Sequence, residues 1–71
     1  MSEQVVTKVQ SSVSAKRVLD EIVVAGGYKA TGFHDGFVIY SKNKNEGTEQ
    51  VFVRKIGDKE FEVVRKTIPV S

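Results

Sequence analysis

The stretch that decides the fold is residues 28–67, YKATGFHDGFVIYSKNKNEGTEQVFVRKIGDKEFEVVRKT. It is rich in Val, Ile, Phe, Tyr and Thr, which fit a pleated surface, and three turn signals cut it. The cuts are Asp35-Gly36, the loop Asn43-Lys44-Asn45-Glu46-Gly47, and Gly57-Asp58. Asp-Gly signals a two-residue hairpin because a type I′ turn needs positive φ at both central positions, and Gly57-Asp58 suits a type II′ turn, which takes Gly first. The expectation is a four-stranded antiparallel β-meander.

The turns set the register. Around Asp35-Gly36, His34 faces Phe37, Phe33 faces Val38, Thr31 faces Tyr40 and Lys29 faces Lys42. Around Gly57-Asp58, Lys55 faces Glu60, Phe52 faces Val63 and Glu49 faces Lys66; the two Lys–Glu pairs favour that alignment. The middle loop leaves one ambiguity, because a slip of one residue moves a strand's side chains to the opposite face. With Lys44 to Gly47 as the loop, Tyr40 faces Val51. One face then carries Tyr28, Ala30, Gly32, Phe37, Ile39, Phe52, Ile56, Phe61 and Val63. The other carries Phe33, Val38, Tyr40, Val51, Val53 and Val64, rimmed by Lys29, Lys42, Lys55, Lys66, Glu60 and Glu62. This register is preferred, since the small Ala30 and Gly32 let a helix approach the first face. The slipped register gathers Phe33, Tyr40, Phe52 and Phe61 with Lys29, Lys42, Arg54 and Arg65.

Residues 12–25 read as the helix. Ser11, Ser12 and Ser14 offer capping oxygens, Ala15, Val18, Leu19, Ile22 and Val23 form one apolar stripe, and Gly26-Gly27 supplies the stop. Residues 4–10 are β-branched enough for a short edge strand. The organisation expected is an extended or short-strand segment over 1–10, one α+β domain over 11–68, and a tail over 69–71.

Composition narrows the function classes. A chain of 71 residues with a net charge of +2 makes one small domain and carries no dense basic patch. It has no cysteine and a single histidine, His34. That removes thiolate metal sites and favours a reducing, cytoplasmic setting. No apolar run is long enough to span a bilayer, and Met1-Ser2-Glu3-Gln4 lacks the basic start and apolar core of a signal peptide.

The candidate chemical motifs read as structure. His34-Asp35 is explained by turn chemistry. Gly26, Gly27 and Gly32 follow the helix, whereas phosphate sites use helix N-termini. Glu60 and Glu62, with Glu46 and Glu49 nearby, lie on open strands where salt pairing accounts for them. No catalytic residue, cofactor or metal is expected.

The apolar content of the second face is the functional clue, because monomers seldom expose a large contiguous apolar patch. The expectation is a small, non-enzymatic interaction or regulatory module. It uses Phe33, Val38, Tyr40, Val51, Val53 and Val64 for self-association as a homodimer or for binding another protein. The alternative is nucleic-acid binding through Tyr40, Lys42, Phe52, Arg54, Arg65 and Lys66, with bases stacked on aromatics and phosphates held by cations. No membrane association is expected.

Overall fold

Ser11 starts the helix and Gly27 ends it. Ser11 has extended backbone (φ −143°, ψ 152°), and its hydroxyl accepts the Ser14 N–H at 3.1 Å. This satisfies one of the donors that every helix start leaves without a partner. Gly27 takes the left-handed conformation (φ 69°) and returns its N–H to the Val23 carbonyl at 3.0 Å. A residue with a Cβ would be strained there. Helix α1 (Ser12–Gly26) is thus one residue longer than expected.

The computed structural model describes residues 2–70. Around α1 the order is β1 (Ser2–Val9), then β2 (Lys29–His34), β3 (Phe37–Lys44), β4 (Gly47–Gly57) and β5 (Glu60–Pro69). All pairs are antiparallel and the sheet order is β1-β5-β4-β3-β2. This is the expected α+β architecture, a helix on a meander, and the N-terminal segment supplies the fifth, edge strand. Strand β5 runs one residue past the expected domain end, and the Val70 N–H donates to the Glu46 carbonyl at 3.1 Å. Of the expected terminal segments, Met1 and Ser71 lie outside the described residues.

The first two hairpins follow the turn chemistry. Asp35 (φ 53°) and Gly36 (φ 82°) are both at positive φ, and His34 pairs with Phe37 and Phe33 with Val38. Tyr40 pairs with Val51, the preferred register. The ladder continues to Lys44–Gly47, so only Asn45 and Glu46 turn. Further along β2 the expectation fails. Ala30, not Thr31, faces Tyr40, and Lys29 faces Ser41, because the register shifts between Ala30 and Gly32. Thr31 is the inserted residue. Its hydroxyl bonds Ser41 Oγ at 2.8 Å and donates to the Ile39 carbonyl at 3.3 Å, which holds the bulge.

The last hairpin corrects the expected faces. Gly57 is not at positive φ, and it pairs with Glu60, so Asp58 and Lys59 make the turn. A register shift between Lys55 and Gly57 then sets Lys55 opposite Phe61, Phe52 opposite Val64 and Glu49 opposite Thr67. Every residue of β5 moves to the other face relative to β4. The new pairs explain why. Val53 gains Val63 as its neighbour, and Arg54 gains Glu62, which the expected alignment would have set beside unlike partners.

The helix consequently covers a mixture of the two expected faces: Val51 and Val53 come from the face expected to be free, Phe61 and Val63 from the face expected to carry the helix. Ala15 and Leu19 pack against Val51, Val53, Phe61 and Val63, all buried. Burial of one such Val, Leu or Phe contributes about 1.5–3 kcal/mol. Val64 is also buried, but outside this core. Alternation places it on the opposite face with Phe52 and Val5, its register partners.

Candidate protein-binding groove

Helix α1 lies along β4 and β5. Its start lies near Lys55 and Phe61, and its end near Glu49 and Arg65. Five strands about 4.8 Å apart make a face about 19 Å wide, and one helix covers about 10 Å of it. What stays uncovered on the helix side is β3 and β2. An open groove of about 690 Å³ runs there between the first half of α1 and the β2–β3 hairpin. Val13, Leu19, Phe37, Val38, Tyr40 and Phe61 form its apolar lining, and Lys16, Asp20, Asp35 and Lys55 its mixed charged rim.

Two of the six residues expected on one free protein-binding face line the groove, and a third is the strand neighbour of one of them. Tyr40 and Val38 are half-buried in the groove, and Phe33, the register partner of Val38, is 79 % exposed at its outer lip. The other three do not belong to it. Val51 and Val53 are buried beneath α1, and Val64 is buried on the opposite face. The flipped register of β5 and the position of α1 account for the split.

The hairpin tip is pinned by one contact to β4 and one to β5. The Asp35 carboxylate accepts the Lys55 backbone N–H at 3.0 Å, and Phe37 lies edge-on to Phe61 with ring centroids 5.9 Å apart. His34 lies edge-on to Phe52 at 5.7 Å and 3.4 Å from Asp35. The Asp35 and Phe37 contacts hold the groove's floor, so Asp35 does more than turn the chain.

Farther along β3 the trough changes character. Val38, Tyr40 and Lys42 alternate onto the same face. Beyond Tyr40 a cleft of about 490 Å³ opens, lined by Glu21, Ile22, Ala25, Gly26, Tyr28, Lys42, Lys44, Glu49 and Arg65. The Glu49 carboxylate is buried at its centre. It accepts the Tyr28 hydroxyl, pairs with Lys44 Nζ, and lies 3.6 Å from Arg65 Nε. Lys44, then Tyr28, hold the Glu49 carboxyl below the usual carboxylate range, against the opposing effect of burial. Burial first, then the hydrogen bond and negative charge of Glu49, push the Tyr28 phenol up to about 12. Lys42 Nζ donates to the Gly26 carbonyl at 3.1 Å and sits 4.6 Å from the centroid of the Tyr28 ring. Gly26 admits that ring, since a Cβ there would overlap it.

The residues of the nucleic-acid alternative divide between the faces. Tyr40, Lys42 and Arg65 lie on the helix side; Phe52, Arg54 and Lys66 lie on the other. Arg54 is engaged there. It bonds Glu62 at 3.1 Å and Glu3 at 2.8 Å, and Lys8 reaches Glu62 at 3.8 Å. This charge ladder, with the buried Glu62 at its centre, occupies the face that holds Val64.

Tyr28 and Glu49 were not among the expected functional residues. Their link spans 21 positions along the chain. The available signal was the pairing of Glu49 with Lys42, which the middle hairpin's register implies. Among the described residues no group of three or more His, Asp or Glu could hold a metal ion, and no helix is long and apolar enough to cross a membrane. No family model, curated protein or solved structure matches this chain.

Proposed function

We propose that this chain is a small, non-enzymatic protein-interaction module whose working surface is the trough between α1 and strands β3 and β2. One observation carries the reading: α1 leaves two strands of the helix-side face uncovered, and Phe33, Phe37, Val38 and Tyr40 line or flank the groove that results. Exposed apolar surface of this kind, rimmed by charge, is the usual anatomy of an interaction site. The absence of cysteine suits work in a reducing compartment.

The nucleic-acid reading has less support, because its aromatics and cations do not share a surface and Arg54 is already paired. A homodimer is the competing occupant of the same trough. Light scattering across a hundredfold concentration range separates the two. A monomer throughout, with amide shifts confined to residues 13–20 and 33–40 when a selected peptide is added, supports a heterologous partner. If shifts instead appear only on the Val64 face, the reading fails.

A further inference from the structure

The bulge in β1 divides that strand into two unlike halves. Its register against β5 shifts between Val5 and Thr7. Ser2 to Val6 are all exposed, whereas Thr7 and Val9 are half-buried and Val9 packs against the core. The second half also runs through Gln10 into the Ser11 cap of α1. It is therefore anchored by burial and by the helix start.

The first half is held differently. Ser2, Glu3, Gln4 and Val5 pair with Thr67, Lys66, Arg65 and Val64 of β5. Val5 stands beside Val64, which is fully buried. Glu3 reaches across β5 to β4, where its Oε1 accepts Arg54 Nη2 at 2.8 Å. Withdrawing Glu3 strands no charge. The same Arg54 nitrogen bonds Glu62 Oε1 at 3.1 Å, Arg54 Nε bonds it at 3.2 Å, and Lys8 Nζ lies 3.8 Å from Glu62 Oε2. Without Glu3, Arg54 keeps Glu62, and the buried Glu62 keeps both cations. Breaking an ion pair is expensive when it leaves a buried charge alone. Here the charge that leaves, Glu3, is 40 % exposed and returns to water.

We propose that Ser2–Val5 is a strap that opens as one unit about the bulge, ahead of global unfolding, and that the Glu3–Arg54 ion pair sets how often it opens. Opening frees the outer edge of β5 from Val64 to Thr67 and uncovers Val64. An edge with unpaired N–H and C=O groups is a template for another strand, and the closed strap blocks it. The trough lies toward the opposite edge of the sheet, at β3 and β2, so the strap does not depend on the docking reading.

Native-state hydrogen exchange on the full chain tests this, read at the amides that bond across the β1–β5 ladder on either side of the bulge. The amides of the Ser2–Val5 half should share one level of protection, at least about tenfold below that of the Thr7–Val9 half, as a separate opening unit does. Raising NaCl from about 0.02 M to about 0.5 M screens exposed pairs. It should speed exchange in the first half about threefold, the size of effect exposed ion pairs have, and change the second half less. Glu3→Gln should give the same acceleration at low salt and remove the salt response of the first half. Protection that falls smoothly toward Ser2, with no step at the bulge, is ordinary end fraying and overturns the strap. A step that responds neither to salt nor to Glu3→Gln overturns the role of the ion pair.

Discussion

The Tyr28 hydroxyl donates to the Glu49 carboxylate, joining the chain just after the helix to the start of β4. Neither group is fully exposed, and each changes how the other titrates. Glu49 is held low in the fold, so its stabilising effect is present above the carboxylate's unfolded pKa and is lost as pH falls through the folded value. Tyr28 is held high, so its effect is present below pH 10 and is lost as pH rises toward about 12. Tyr28→Phe should therefore flatten the alkaline fall in stability between pH 10 and 12. Difference absorbance titration of wild type against Tyr28→Phe should also show a phenol ionising near 12. An alkaline limb identical in both proteins would refute the bond.

Glu49→Ala should destabilise by about 2–3 kcal/mol, the cost of leaving hydrogen-bonded, partly buried charges without their partner. The carboxylate serves Tyr28, Lys44 and Arg65 together. Urea unfolding measures the loss. A change below 0.5 kcal/mol would mean that water replaces the carboxylate freely, roughly as it does for exposed pairs.

Gly47→Ala should cost about 2–4 kcal/mol, from backbone strain together with overpacking. Gly47 has φ 146°, and a Cβ would collide with the Ile68 carbonyl and crowd Pro69 on the neighbouring strand. Gly36→Ala serves as a comparison: its φ of 82° is also positive, but nothing crowds its Cβ position. The expected order of melting temperatures is wild type, then Gly36→Ala, then Gly47→Ala.

Asp35→Asn should retain the turn, since Asn tolerates positive φ, whereas Asp35→Ala should lose about 1–2 kcal/mol with the acceptor for the Lys55 N–H. Hydrogen exchange at the Lys55 amide is the direct readout. Faster exchange in Asp35→Ala alone is the expected result, and equal exchange in all three proteins would contradict the contact.

Much of this fold is legible in the sequence because its turns are. Asp35-Gly36 sets the first hairpin, and the Ser11 cap and Gly27 stop delimit the helix. Three register shifts are not legible, one of them in β1 between Val5 and Thr7. Thr31 and the shift between Lys55 and Gly57 each insert one residue, and the second reverses the face of every residue in β5. Period-two reasoning has no means of detecting an inserted residue. It pairs Lys55 with Glu60 on charge, whereas packing favours Val53 beside Val63. The candidate site inherits this. Phe33, Val38, Tyr40, Val51 and Val53 share one face, as expected, because they precede the second bulge, whereas Val64 lies on the other because it follows it; α1, whose position no turn signal gives, then covers Val51 and Val53.

The most direct measurement compares two charge insertions on opposite faces, Val38→Glu in the groove and Val5→Glu on the other face. Both positions are partly exposed, so both variants should melt within a few degrees of wild type. Fluorescence titration with a groove-selected peptide then reads the affinity of each. The docking account expects Val38→Glu to bind at least about tenfold more weakly, consistent with loss of a central apolar contact, and Val5→Glu to bind as wild type does. Unchanged binding by a folded Val38→Glu, or selective loss in Val5→Glu, would contradict it.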